Sequence, residues 1–176
     1  MKGFKNIKGK VVERLFLIIW PPWGEKQQSD LDISFGFVFR EESNYLYIIS
    51  IDKDELWSPF IYIETIPVNR YSWLDFYPRI NMWMNAKNEN MIIDKEYYEV
   101  TKSDLFNNIL FNKIEDIELL KVTNIPEPFG VKLIFKDDYI ISIPNWDGNT
   151  VESKHFNKNH TIEIFRDLGD IVYIKI

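Results

Sequence analysis

FGFVFREESNYLYIISID, from Phe35 to Asp52, runs an alternating aromatic stretch, a charged turn and an isoleucine-rich return in succession. Branched and aromatic residues at period two, broken by polar turn residues, read as a β-hairpin. A second stretch, FGVKLIFKDDYIISIPNWD from Phe129 to Asp147, repeats the plan and the pentapeptide YIISI. The two returns, Tyr47–Ile51 and Tyr139–Ile143, follow turns that differ in length by two residues. Each Phe-Gly pair is read as the start of its strand. A duplicated half explains the match, and so do two independent hairpins drawn from the same β-forming residues. The copies diverge beyond the pentapeptide, IDKDELW against PNWDGNT. In a strand, the tyrosine and the third and fifth residues share one face, and the second and fourth share the other. Both faces are apolar, so each YIISI is expected to be a central strand.

The same signals extend outward. VVERLFLIIW (Val11 to Trp20) is a strand that stops at Pro21-Pro22, which cannot continue a ladder. FIYIETI (60–66), IELLKVT (117–123), VKLIF (131–135), TIEIF (161–165) and IVYIKI (171–176) also suit strands. SDLFNNILF (103–111) has helical spacing behind a Ser103 cap, and Trp73 to Met84 holds a short helix that Pro78 starts or breaks. Asn85 to Asp94 reads as a loop. No long crossover helices alternate with strands, so the expected class is α+β and β-rich. Antiparallel sheets are built from hairpins with one or two short helices, and the halves are pseudo-duplicated if the repeat is genuine. Residues 1–176 are read as one globular domain.

Composition bounds function. The chain is 45% hydrophobic and 16% aromatic, too apolar for disorder, and carries a formal charge of −6. Its basic residues are scattered apart from Lys2, Lys5, Lys8 and Lys10, read as solvating a mobile end, so no nucleic-acid face is expected. Negative charge favours a basic partner. With no cysteine, disulfide frameworks, thiol nucleophiles and thiolate metal sites are excluded. LFLIIW behind basic residues imitates an export signal, but Glu13 and Arg14 interrupt it. No segment approaches membrane-spanning length, and the expected location is cytoplasmic.

Candidate contact residues cluster in loops. Trp20-Pro-Pro-Trp23 is either an aromatic anchor or a strand exit whose tryptophans cap the core. WLDFYPRINMWM (73–84) is either an aromatic and methionine binding patch around Arg79 or an end plug for a sheet. Asp52, Asp54, Glu55 and Trp57 follow the first YIISI, and Trp146 and Asp147 follow the second. With Trp23 these make the expected partner-binding set, the plainer reading of the acidic ones being solvated turns. His155 and His160, five apart, match no common zinc pairing even with Asp147, Glu152 or Glu163 nearby, and no metal or other cofactor is expected. No phosphate loop, nucleophile elbow or Ser/His/Asp spacing is present, and the enzyme reading leans to no.

FGVKLIFKDDYIISIPNWDGNTVESKHF, Phe129 to Phe156, resembles small bacterial immunity-type proteins of polymorphic toxin systems. The likeness lies in a glycine-led strand, a charged turn, an Ile-rich strand and an Asn/Trp/Asp loop, over less than a fifth of the chain. It implies a cytoplasmic protein that sequesters a cognate toxin by surface binding, without catalysis, and no individual contact residue carries over. Three readings follow: an immunity-type inhibitor of a basic toxin, a small-ligand-binding β domain with an aromatic-lined cavity, and a hydrolase built on Asp54, Glu55 and Asp147.

Overall fold

Leu15 to Ile19, most of the stretch that imitates an export signal, form a buried strand inside a six-stranded sheet. The structure is a computed structural model that describes residues 3–20, 31–51, 58–85, 94–145, 148–158 and 161–176. In chain order its elements are β1 (Val12–Trp20), β2 (Asp32–Phe39), β3 (Tyr45–Ile51), β4 (Pro59–Thr65), β5 (Tyr71–Ser72), α1 (Phe76–Asn85), β6 (Glu96–Glu99), β7 (Asp116–Val122), β8 (Gly130–Ile134), β9 (Tyr139–Pro144), β10 (Asn149–Ser153) and β11 (Ile171–Lys175). Short 3₁₀ segments punctuate them. One sheet has the order β4-β3-β2-β1-β6-β5 and the other β10-β9-β8-β7-β11. Every pairing is antiparallel except that of β5 with β6. The fold is α+β and β-rich.

The sheets stack with β2 over β10 and β3 over β9. Period-two alternation sends Leu15, Leu17, Phe35 and Phe37 inward from one sheet and Leu119, Leu133, Ile140 and Val151 from the other, making a shared core. Each such buried side chain contributes about 1.5–3 kcal/mol relative to exposure. Phe35, Phe106 and Phe156 meet edge-on or tilted inside that core. The outer faces are apolar as well. Phe16, Ile18, Val38, Leu46 and Ile48 form a second cluster, and Leu120, Val122, Ile141 and Ile143 a third, closed by Ile162.

Both YIISI segments are central strands, flanked on either side in their sheets. They do not sit in equivalent settings. In β3 the third residue, Ile49, faces the shared core and Ile48 faces out; in β9 the second residue, Ile140, faces the core and Ile141 faces out. The pairing differs too: Ile48 lies opposite Gly36, whereas Ile140 lies opposite Leu133 and Ser142 opposite Val131. Phe35-Gly36 falls in the middle of β2 instead of starting it, while Gly130 does open β8. A duplicated unit would preserve inward and outward faces, because a one-residue slip inverts them all. The pentapeptide is therefore reused in two registers, as independent hairpins would be.

Three other expectations change. TIEIF is part of a 3₁₀ segment, Thr161–Leu168, in which Ile162 is buried and Phe165 stacks on Phe129 at 4.0 Å between ring centroids. Spacing of three outweighs the alternation Ile162/Ile164, and Ile164 is 50% exposed. SDLFNNILF forms one 3₁₀ turn, Asp104–Phe106, capped by Ser103 Oγ accepting from Leu105 N, then further turns rather than a helix. The short strands EYYE of β6 and NTVES of β10, given no element in the sequence reading, belong one to each sheet. Lys8 and Lys10 do not solvate a mobile end, and Lys2 lies outside the described residues. Phe4 and Ile7 are buried in the core, Lys8 Nζ donates to Asp116 at 2.8 Å and to Ile176 O at 2.9 Å, and Lys10 pairs with Glu42.

Helix α1 follows the 3₁₀ turn Trp73–Asp75, where the Asp75 carboxylate accepts from Ser72 N and Oγ. Pro78 lies in its first turn, where a missing N–H costs no helical bond. Phe76 and Trp83 turn into the core while Leu74, Tyr77 and Met82 face solvent. The segment thus plugs the core with Phe76 and Trp83 and leaves Leu74, Tyr77 and Met82 exposed.

Candidate functional site

The expected contact residues Trp23, Asp52, Asp54, Glu55, Trp57, Trp146 and Asp147 all lie outside the described residues, as does His160. Their flanks are described. Trp20, at the end of β1, is 42% exposed and does not cap the core. Asn145 and Asn149, on either side of positions 146 and 147, splice the two sheets together. Asn149 Nδ2 donates to Ile33 O at 2.7 Å, its backbone N donates to Asp32 Oδ1 at 3.0 Å, and Ser142 Oγ bonds its Oδ1 at 3.0 Å. Asn145 Nδ2 donates to Leu31 O at 3.2 Å. These bonds join the sheets through buried polar groups, each of which needs a partner in that setting. Asp138, in the charged turn before β9, is buried, its Oδ1 accepting from Tyr139 N and Lys154 N.

Two surfaces stand out among the described residues. The first is the C-terminal edge of the five-stranded sheet. β11 pairs only with β7 among the described residues, so one side of its backbone ladder is unused. Val172, Tyr173 and Ile174 are 39%, 43% and 43% exposed, and Ile164 and Leu168 of the adjoining 3₁₀ segment add to them. Asp167 and Asp170 flank this apolar edge and are exposed. Edge strands are normally protected by charges, proline, bulges or a covering loop. Here the one charged residue within the strand, Lys175, is engaged by Asp116 at 2.9 Å.

The second surface is a groove of about 720 Å³ beside β1, β6 and β5. Arg14 on β1 donates through Nε and Nη2 to the two oxygens of Glu99 on β6, at 2.7 and 2.9 Å. Arg70 Nε reaches the same carboxylate at 3.1 Å. The Arg14 hydrogen bond holds the Glu99 carboxyl below the usual range, and the same bond raises Arg14 further. Tyr71, Trp73 and Leu74 supply an apolar wall, and Thr101 and Lys102 close the rim. Tyr71 is held between the Arg79 guanidinium, 4.0 Å from its ring centroid, and the Tyr98 ring at 5.5 Å. Arg79 is itself fixed by Glu96.

No family model, curated protein or solved structure matches this chain.

No helix among the described residues is long and apolar enough to cross a membrane. Among those residues no three His, Asp or Glu side chains come together as a metal site; His155 is exposed and Glu163 pairs with Arg166 at 2.7 Å. Of these two surfaces the sequence marked only Trp73 and Leu74, inside the candidate patch 73–84. Arg14, Arg70, Glu99 and Lys102 are brought together by pairing across strands, and only their charge hints at it. For β11 the signal was there, an apolar strand with one lysine, but its edge position was not.

Proposed function

We propose that this protein is a non-catalytic binding protein of the immunity type, which sequesters a basic protein partner by adding an extended segment of it to β11. The observation that carries the reading is the open apolar edge, with Val172, Tyr173 and Ile174 each about two-fifths exposed beside backbone donors and acceptors that no strand among the described residues uses. Strand addition draws affinity from main-chain hydrogen bonds and specificity from alternate side chains. Asp167 and Asp170 beside the edge, in a chain of formal charge −6, favour a cationic segment over an acidic one.

The test is affinity capture from the native cells, followed by hydrogen exchange on the purified complex. A basic protein should be recovered, and the amides of Ile171–Lys175 should gain protection in the complex. Charging the edge with Tyr173→Lys and Ile174→Lys together should weaken the complex about 10- to 100-fold while the fold persists. Recovery of no basic protein, or protection confined to another face, removes the reading.

A further inference from the structure

The groove of Arg14, Arg70 and Lys102 is independent of that edge, and its chemistry is opposite to the charge of the whole. The protein carries a formal charge of −6, yet three cations line this groove against the one carboxylate of Glu99, an excess of two positive charges. A recess of one sign focuses its field and concentrates a counter-ion.

The carboxylate aims the cations as well as offsetting them. Glu99 takes Nε and Nη2 of Arg14 and Nε of Arg70, and Pro67 O takes Nη1 of Arg70 at 3.2 Å. That leaves Arg14 Nη1 and Arg70 Nη2 without a partner among the described residues, on guanidinium planes already held in place. The Lys102 ammonium is exposed and has no ion pair among the described residues. Arginine forks match phosphate oxygens, and a nearby ammonium adds a point charge. Beside these donors stand the half-buried Trp73 and Leu74, which is 83% exposed, an apolar wall with no purpose in holding a bare ion. The volume is within the range of small-molecule sites.

We propose that the groove binds a small organic phosphomonoester, its dianionic head held by Arg14, Arg70 and Lys102 and its apolar body laid against Trp73 and Leu74. Isothermal titration calorimetry on the full chain, with phenyl phosphate, inorganic phosphate and benzoate as probes, tests it. Phenyl phosphate should bind saturably, about tenfold or more tighter than either of the other two, and more weakly at high salt. Arg70→Ala and Lys102→Ala alter exposed side chains, so the fold should survive, and each should weaken phenyl phosphate about tenfold. Trp73→Phe should weaken phenyl phosphate more than inorganic phosphate. The proposal is overturned by no saturable binding up to about 10 mM, by inorganic phosphate or benzoate binding as well as phenyl phosphate, or by affinity that ignores both cation substitutions.

Discussion

Asn149 occupies the point at which the two sheets are joined by polar atoms instead of apolar contact. Its amide donates to Ile33 O, its backbone N donates to Asp32, and its carbonyl oxygen bonds Ser142, all at 3.0 Å or less. Removing that side chain strands a buried carbonyl and a buried hydroxyl together, and each unsatisfied group costs about 1–3 kcal/mol. Asn149→Ala should therefore lower the urea midpoint by a shift worth about 2–6 kcal/mol with an unchanged slope, while the exposed Asn44→Ala stays within about 0.5 kcal/mol. Equal midpoints for the two variants would show that the splice contributes nothing. Gly148 belongs to the same junction: a Cβ there would stand 2.3 Å from the Asp32 carboxylate that receives Asn149 N. In sequence, Gly148-Asn149 reads as an ordinary turn, because nothing local announces a partner more than a hundred residues away.

At the scale of elements, the segment Thr161–Leu168 separates two patterns that the same letters permit. As a strand, Ile162 and Ile164 would share a face; as the 3₁₀ segment it is, Ile162 and Phe165 do. Phe165 rests on Phe129 with an interplanar angle of 10°, whereas Ile164 is 50% exposed. Phe165→Ala should destabilise by about 1–3 kcal/mol and Ile164→Ala by less than about 0.5 kcal/mol in chemical denaturation. The reverse order would restore the strand reading. The two YIISI strands make a related point. Alternation in the pentapeptide assigns which residues travel together, but with apolar side chains on both faces it does not say which set meets the core. The decision falls to the partner strands, and it comes out oppositely in β3 and β9.

For the whole molecule, Asp116 and Glu99 are the charges that hold distant segments to one another. Asp116 at the start of β7 accepts from Lys8 at 2.8 Å and from Lys175 on β11 at 2.9 Å, and Glu99 ties β1 to the segment before β5. Hydrogen bonds from those cations lower both carboxyls from their ordinary values of 3.8 and 4.5. A depressed carboxyl stabilises the fold above its unfolded value, and that contribution is lost as pH falls through the folded one. Urea midpoints measured from about pH 7 to about pH 3 should accordingly fall below about pH 4.5, and Glu99→Gln should flatten part of that fall. An acid limb of the same steepness in wild type and variant would show that Glu99 is not linked. Strand content, hairpins, antiparallel pairing and the central place of YIISI were all determined by the sequence itself, because period-two alternation and turn residues act between neighbours. Tertiary structure alone decided that β11 is left at an open edge, that polar NTVES is buried, and that Arg14, Arg70 and Lys102 share a groove. The physical reason is range: edge position, burial of polar groups and the meeting of charges depend on which strands pair and how sheets stack, contacts between residues far apart in the chain.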